Sequence, residues 1–186
     1  YIRAEADSIA LEVRFHKNEV HDKFLGQNQL SNKIFESIER SRVEAKGSKI
    51  FKGIESNIFK KHQTDLNNIS FQKNGENELT KAFRYVSYCE LTEKKLDGKF
   101  NSYKKIIKQK LGNKYEEFFS KLKYNLSNQE EFAQELKNFL NELGFFENDN
   151  TDLQDDKVED NNENLSDNEE EQKSDQNDKK ESDLEV

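Results

Sequence analysis

The chain has 186 residues, of which 37% are charged, and a net charge of −8, so its length predicts one or two domains. No apolar run approaches the roughly 18 residues of a membrane span and the N-terminus lacks a signal-peptide pattern, so we expect no membrane association. The single cysteine, Cys89, excludes an internal disulfide and suits a reducing cytoplasm. Because methionine is absent even at position 1, we expect an internal piece of a longer protein.

The charge is distributed unevenly along the chain. Residues 147–186 carry 17 Asp or Glu against 4 Lys and no aromatic residue, whereas residues 1–146 have a net charge of +5 and all the aromatic residues. A segment with few apolar groups and high like charge cannot offset the entropy lost on ordering. We therefore predict a folded domain over 1–146 and a disordered acidic linker over 147–186.

Helical spacing of apolar residues recurs throughout 1–146, and sustained period-two alternation is absent. Ile2, Ala6, Ile9 and Val13 predict a first helix over roughly 1–17, and a short segment around Val20 and Phe24 follows. A long helical pattern then runs from Ser31 to about Lys61, and turn-forming residues predict a loop over 63–77. The later pattern predicts three more helices. The first runs from Leu79 to near Gly98, the second ends at Gly112, and the third runs from Tyr115 to Leu122.

The last predicted helix has the clearest end signals. Ser127 and Glu130 form a capping-box pattern, Phe132, Leu136 and Phe139 form an apolar stripe, and Gly144 is a C-terminal stop. The predicted fold class is therefore all-α: an irregular bundle of about six helices, followed by a disordered acidic tail.

Gly47 lies on the apolar stripe of the long pattern, between Val43 and Ile50. A helical glycine costs roughly 1 kcal/mol relative to alanine, which a continuous helix tolerates where another backbone packs closely. The alternative is a break, with Gly47 as a C-terminal cap and Ser48 as the N-cap of a new helix. We favour the continuous helix.

Few residues suggest a catalytic, metal-binding or nucleic-acid-binding site. The sequence around Gly47 lacks the first glycine and the residue order of a phosphate-binding loop. His16 and His21, five residues apart, would not share a helix face as zinc ligands, so hydrogen-bonding or surface roles are favoured. His62 is expected to interact with a helix dipole, and Cys89 to be an inert buried thiol. The lysines of 102–114 favour solvated helix faces over nucleic-acid binding.

A sharper indication comes from three stretches of residues 3–57: "RAEADSIALEVRFH" from Arg3, "VHDKFL" from Val20 and "RVEAKGSKIFKGIESN" from Arg42. These stretches resemble the N-terminal region of the cobaltochelatase T subunit, and the resemblance is fainter over 58–146. In close register, that family has Ala-Asp-Ser-x-Ala-Leu, a His, a Val-His pair, Arg-Val-Glu-Ala-x-Gly-Ser, and later a Gly and an Asn. The matching residues are Ala6, Asp7, Ser8, Ala10, Leu11, His16, Val20, His21, Arg42, Val43, Glu44, Ala45, Gly47, Ser48, Gly53 and Asn57.

The resemblance implies a part in an enzyme that uses ATP to insert cobalt(II) into hydrogenobyrinic acid a,c-diamide. A large N subunit holds the macrocycle, an S subunit of the AAA+ type hydrolyses ATP, and the T subunit joins the S subunit in a ring. This chain would then be a cytoplasmic scaffold that binds no cofactor, nucleic acid or membrane, with ATP on the S subunit and cobalt as substrate. On this interpretation we expect the chain to stop before the family's C-terminal integrin-type domain and the piece alone to be inactive.

The interface or packing candidates are Arg42, Glu44, Gly47, Ser48, His16 and His21. Arg42 and Glu44 lie about 160° apart on a helix, so we expect one to pair within the domain and the other to face outward. Two other functions stay open. One is a helical nucleic-acid- or protein-binding module with an autoinhibitory acidic tail. The other is a stand-alone metal-binding or hydrolytic enzyme, which needs a convergent polar cluster.

Overall fold

A computed structural model of the chain describes residues 1–69 and 75–145, and all regular structure in these residues is helical, which confirms the all-α prediction. They contain eight α-helices rather than about six, and a 3₁₀ helix at Gly112–Lys114 precedes the seventh. The linker prediction for 147–186 lies outside the described residues. The α-helices are α1 (Ile2–Phe15), α2 (Asn18–Asp22), α3 (Gln29–Ile50), α4 (Lys52–Asn68), α5 (Glu76–Thr92), α6 (Phe100–Leu111), α7 (Tyr115–Tyr124) and α8 (Gln129–Glu142).

Helix α3 is the centre of the described fold. It contacts α1, α4, α5 and α8, and it buries residues all round its axis. Ile34, Ile38 and Ala45 contribute apolar surface, whereas Glu39 and Arg42 are polar and equally inaccessible. A helix enclosed in this way needs partners for its charged residues inside the protein, because an unpaired buried charge is strongly unfavourable.

The long helical pattern at 31–61 is two helices, not one. Helix α3 runs through Gly47 without a break, which confirms the favoured interpretation there, and ends at Ile50. Phe51 has an extended backbone (φ −121°, ψ 96°), after which α4 begins. The loop predicted at 63–77 is wrong for its first residues, because α4 continues to Asn68 and buries Leu66 in its last turns.

Helix α1 has two apolar faces. Ala4, Ser8 and Leu11 are buried against the domain. The stripe that predicted this helix lies on the opposite side and is exposed, with 86% of Ile2, 57% of Ile9 and 82% of Val13 accessible. A face of this kind, unpartnered in the described residues, is typical of a binding surface.

The second half of the domain follows the sequence pattern more closely. Phe132, Leu136 and Phe139 are buried as α8's stripe predicts, and Gly144 ends the helix with a left-handed φ of 75°. The N-cap is Asn128 rather than Ser127: its side chain accepts from the amides of residues 130 and 131.

Helix α5 stops earlier than the sequence predicts. It ends at Thr92, because Glu93 takes a left-handed conformation (φ 59°), rather than at residues 97–98. Helix α6 ends before Gly112, as predicted. Among the described helices, none is long and apolar enough to cross a membrane.

Candidate functional site: buried charge network and polar clefts

Glu44 is the centre of a buried polar network that joins four helices. Its side chain is inaccessible to solvent. Ser8 of α1 donates to Oε1 at 2.6 Å, and the Arg84 guanidinium of α5 lies 2.6 Å from the same oxygen. His62 Nε2 of α4 lies 2.7 Å from Oε2. Arg40, one turn earlier on α3, approaches Oε1 at 3.8 Å. The carboxylate therefore cross-links α1, α4 and α5 to the central helix.

The charges of this network follow from burial and pairing. Burial alone would raise the pKa of Glu44, but the Arg84 guanidinium and the hydrogen bond from His62 outweigh it and hold that pKa well below its usual range. Burial lowers the pKa of His62 despite its hydrogen bond to Glu44. His62 is therefore neutral at pH 7 and donates its Nε2 proton to a charged carboxylate, which Arg84 balances.

Arg42 and Glu39 form a second buried pair one turn away along α3. Arg42 Nε donates to Glu39 Oε2 at 2.8 Å and Nη2 donates to Oε1 at 2.7 Å. Arg42 also donates to the carbonyls of Phe15 at 2.7 Å and of Leu126 at 3.3 Å. This guanidinium therefore ties the end of α1 and the segment before α8 to the central helix.

The expectation that either Arg42 or Glu44 faces outward is wrong. The two side chains do lie on opposite sides of α3, but both are fully buried, because other elements cover this helix on both sides. Each pairs within the domain, so neither is available to a partner protein.

His16 and His21 are brought together, although they would not share a face on a continuous helix. Helix α1 ends at Phe15 and α2 begins at Asn18, and this turn places the two rings 4.9 Å apart, edge to face. His16 Nδ1 lies 3.0 Å from Glu39 Oε1. The ring of His21 contacts that of Phe35, and burial, followed by the proximity of His16, lowers the pKa of His21.

The histidine pair borders an open cleft of about 360 Å³, and Glu12 and Glu36 also line it. No group of three or more His, Cys, Asp or Glu side chains in residues 1–69 and 75–145 is arranged to hold a metal ion. A second cleft, of about 470 Å³, lies where the end of α1 meets the start of α8 and is lined by Arg14, Lys17 and Lys46.

Gly47 and Ser48 complete the set of sequence candidates, and both are buried on α3. Gly47 packs against Leu11 of α1. The hydroxyl of Ser48 is buried and has no hydrogen-bond partner among the described residues. Gly47 therefore allows close packing between α1 and α3.

A nucleophile with its own base is not found among the described residues. The Ser8 hydroxyl donates to Glu44, so the carboxylate stands between it and His62 instead of the imidazole accepting its proton. Cys89 is buried, as expected, and burial raises its pKa to about 12, so the thiol is protonated at pH 7.

Sequence reasoning missed the partners of these residues. Glu39 and Arg84 were not predicted, and His62 lies inside α4 rather than at a helix end, because α4 is longer than the turn-forming residues indicated. One signal was available: the apolar residues of α3, such as Ile34, Phe35 and Val43, are spread over several sides of the helix rather than along one stripe. A helix with apolar residues on several sides is largely buried, so the charged residues between them must be paired.

The residues that carry the family resemblance contact one another in the folded protein. Ser8 bonds to Glu44, and Asn57 of α4 donates to Asp7 of α1 at 2.7 Å. Leu11 fills the space beside Gly47. Residues separated by 36 to 50 positions in the chain thus form one set of helix–helix contacts.

Comparison with known proteins gives one match. A family model described as cobalamin biosynthesis protein CobT matches residues 1–185. No curated protein and no solved structure matches the chain. The family match extends beyond 3–57, where the resemblance was strongest, and includes the acidic segment.

Proposed function

Since the chain belongs to the family of the cobalamin biosynthesis protein CobT, which confirms the resemblance seen in its sequence, we propose that it is a non-catalytic scaffold of a cytoplasmic cobaltochelatase. In this proposal the complex inserts cobalt(II) into hydrogenobyrinic acid a,c-diamide. An S subunit hydrolyses ATP and an N subunit holds the macrocycle. The chain itself binds neither ATP nor the metal.

The scaffold role is supported by the positions of the polar residues that match the family. Ser8, Arg42 and Glu44 are buried, and each makes hydrogen bonds or ion pairs to other helices of the same domain. A catalytic site needs groups that are free to meet a substrate, whereas the polar atoms of Ser8 and Arg42, which border the two clefts, are already paired inside the domain. Here they hold helices in fixed relative positions.

A rigid helical domain suits the chemistry of metal insertion. The reaction requires a hydrated cation to lose water and a macrocycle to be deformed, so motion driven by ATP must pass between subunits. A domain cross-linked by buried charge pairs transmits such motion as one body, because breaking one partner of a buried pair is strongly unfavourable.

We further propose that the exposed stripe of α1 is the face that meets the S subunit. Ile2, Ile9 and Val13 provide an apolar surface on the side of α1 opposite the core. Arg3 on α1 and Lys60 on the adjacent α4 make no ion pair in the described residues. An amphipathic helix of the S subunit, with acidic residues beside its apolar face, would complement the apolar stripe and the two basic residues.

Co-elution of the purified chain with the S subunit tests the scaffold role and the docking face. Ile9→Glu with Val13→Glu should abolish co-elution without unfolding the domain, because both side chains are exposed. Tyr124→Glu, at an 89% exposed position on α7, is the matched control and should co-elute normally. If the α1 variant co-elutes as well as the control, α1 is not the docking face, and if the unmodified chain does not co-elute, the scaffold proposal fails.

A second assay tests the absence of catalysis. The purified chain alone, given ATP, cobalt(II) and the corrin substrate, should neither release phosphate nor insert the metal. Turnover by the chain without the other subunits would contradict the non-catalytic role, even if co-elution succeeded.

A nucleic-acid-binding function is less well supported. Of the α6 lysines, Lys104 pairs with Glu90 at 2.7 Å, and Lys108 lies 5.2 Å from the centre of the Tyr115 ring. Lys110 lies 4.9 Å from that of Phe145. These three side chains interact with the domain's own surface.

A further inference from the structure

The second of the two clefts is rich in positive charge. It lies between the C-terminal end of α1, the middle of α3 and the start of α8, and has a volume of about 470 Å³. We call it the cationic cleft. Four of its lining side chains are basic and one is acidic: Arg14, Lys17, Arg42 and Lys46 against Glu130.

Lys46 is a half-buried lysine of this cleft that has no counter-ion in the described part of the chain. Its side chain is half-buried, and its ammonium donates one hydrogen bond, to the carbonyl of Ser127 at 2.8 Å. In the described part of the chain it makes no ion pair. Burial, and after it the positive charge of Arg42, lowers the pKa of Lys46. The ammonium also lies 5.1 Å from the centre of the Phe15 ring, so at least one of its three donors remains for a ligand.

Arg14 and Lys17 add charge that no carboxylate of the described residues neutralises. The Arg14 guanidinium lies over the rings of Phe15 and Phe51, at 5.5 and 5.7 Å from their centres. The Lys17 side chain is exposed and makes no ion pair within residues 1–69 and 75–145. Arg42 differs from these two, because Glu39 already balances it.

The remaining boundary of the cleft does not cancel this charge. Glu130 is its one acidic lining residue, and the carboxylate of Glu130 lies 3.7 Å from Lys23, which is not among the lining residues. Asn128 and Gln129 begin α8 here, so the positive end of that helix dipole adds to the potential of the basic side chains.

We propose that the cationic cleft binds an oxyanion with two or more negative charges, carried by the phosphate or carboxylate groups of a small molecule. Lys46, Arg14 and Lys17 would supply charge-assisted hydrogen bonds, and Lys46 would gain the counter-ion that it lacks. The proposal is independent of the scaffold role, because it concerns a different surface from the α1 stripe and does not require another subunit.

Isothermal titration of the full chain with tripolyphosphate, and separately with citrate, at low ionic strength tests this proposal. We expect saturable binding at one site, and the tighter of the two probes identifies the preferred group. Lys46→Gln and Arg14→Gln should each weaken binding about tenfold or more, since each removes a charged hydrogen-bond donor. Lys49→Gln is the matched control on α3, because Lys49 is exposed and does not line the cleft.

The variants distinguish a site from general attraction between charges. Arg14 is exposed, so Arg14→Gln should fold even if the half-buried Lys46 does not tolerate replacement. Lys46→Arg keeps the positive charge, so it should bind the probe more tightly than Lys46→Gln does. Equal weakening by Lys49→Gln would show nonspecific electrostatic binding and overturn the proposal. The absence of binding to both probes at low salt would also overturn it.

Discussion

Gly47 of α3 lies in direct contact with Leu11 of α1. A β-carbon on residue 47 would lie 2.8 Å from Leu11 Cγ and closer still to the two methyl carbons of Leu11, distances that the side chain could not keep. Leu11 is itself buried. The glycine in the middle of this long helix is therefore explained by the close approach of α1, which any side chain at residue 47 would prevent.

We predict that Gly47→Ala destabilises the domain by roughly 1–3 kcal/mol, the cost of overpacking a core. Alanine has the better helix propensity, but its methyl group would overlap Leu11. Urea denaturation gives the free energy of unfolding. Gly53→Ala is the control, since nothing lies within 4 Å of its β-carbon position, and it should be neutral or slightly stabilising.

A double variant identifies the contact itself. Leu11→Ala alone should cost roughly 2–5 kcal/mol, because it leaves a cavity in the core. The methyl group of Gly47→Ala would partly fill that cavity, so the double variant should lose less stability than the sum of the two single variants. Additive losses would show that Leu11 is not the residue that excludes a side chain at position 47.

Replacement of Glu44 by glutamine should be far more damaging than any surface change. The variant keeps the size of the side chain but leaves the buried Arg84 without its closest counter-charge, and breaking a buried pair costs roughly 3–5 kcal/mol. Glu117→Gln, which removes an exposed pair with Lys121, is the control and should change stability little. Similar losses in the two variants, measured by denaturant unfolding, would contradict the central role of Glu44.

Stability should fall as the pH is lowered from about 7.5 to 5.5 because of His62. Its pKa is lowered in the folded state, so the unfolded chain takes up the proton first. The stability that neutral His62 provides is therefore complete above the unfolded pKa near 6.5 and is lost below it. The loss approaches about 1.4 kcal/mol per pH unit and per proton. Below about 4.5, protonation of Glu44 should remove more, because its folded pKa is also lowered.

Two histidine variants separate the contributions to this pH dependence. The pKa of His21 is lowered as well, so His21→Gln should remove one part of the slope and His62→Gln another. The comparison uses the change in unfolding free energy between pH 7.5 and 5.5 rather than its absolute value, because His62→Gln also perturbs a buried hydrogen bond. An unchanged slope in His62→Gln would show that the pKa of His62 is the same in the folded and unfolded chain, which would contradict this prediction.

Some features of the fold could be predicted from the sequence because they depend on neighbouring residues. The stripe of α8 and its glycine stop are local, and both are confirmed by the burial of Leu136 and the left-handed conformation of Gly144. The continuity of α3 through Gly47 was also predictable, since the apolar period continues across it.

Features that depend on distant residues could not be predicted in this way. The period of Ile2, Ile9 and Val13 identifies a helix, but whether that stripe meets the core depends on what else packs there, and here Leu11 on the other side is buried instead. The pairing of Glu44 with His62 and Arg84 joins residues 18 and 40 positions away. A single sequence contains no direct sign of such contacts beyond the excess of charge on a buried helix.

The start of α8 allows the last test, because the sequence predicts Ser127 as the N-cap and the structure has Asn128 in that position. The structure assigns the cap to Asn128, whose side chain accepts from the amides of Glu130 and Glu131 at 3.1 and 3.4 Å. Asn128→Ala should therefore destabilise the domain by about 1 kcal/mol. Ser127→Ala should change stability little, because the carbonyl of Ser127, which accepts from Lys46, is kept in the variant. Thermal or urea unfolding of the two variants separates the alternatives. A larger loss of stability in Ser127→Ala would show that Ser127, not Asn128, is the N-cap.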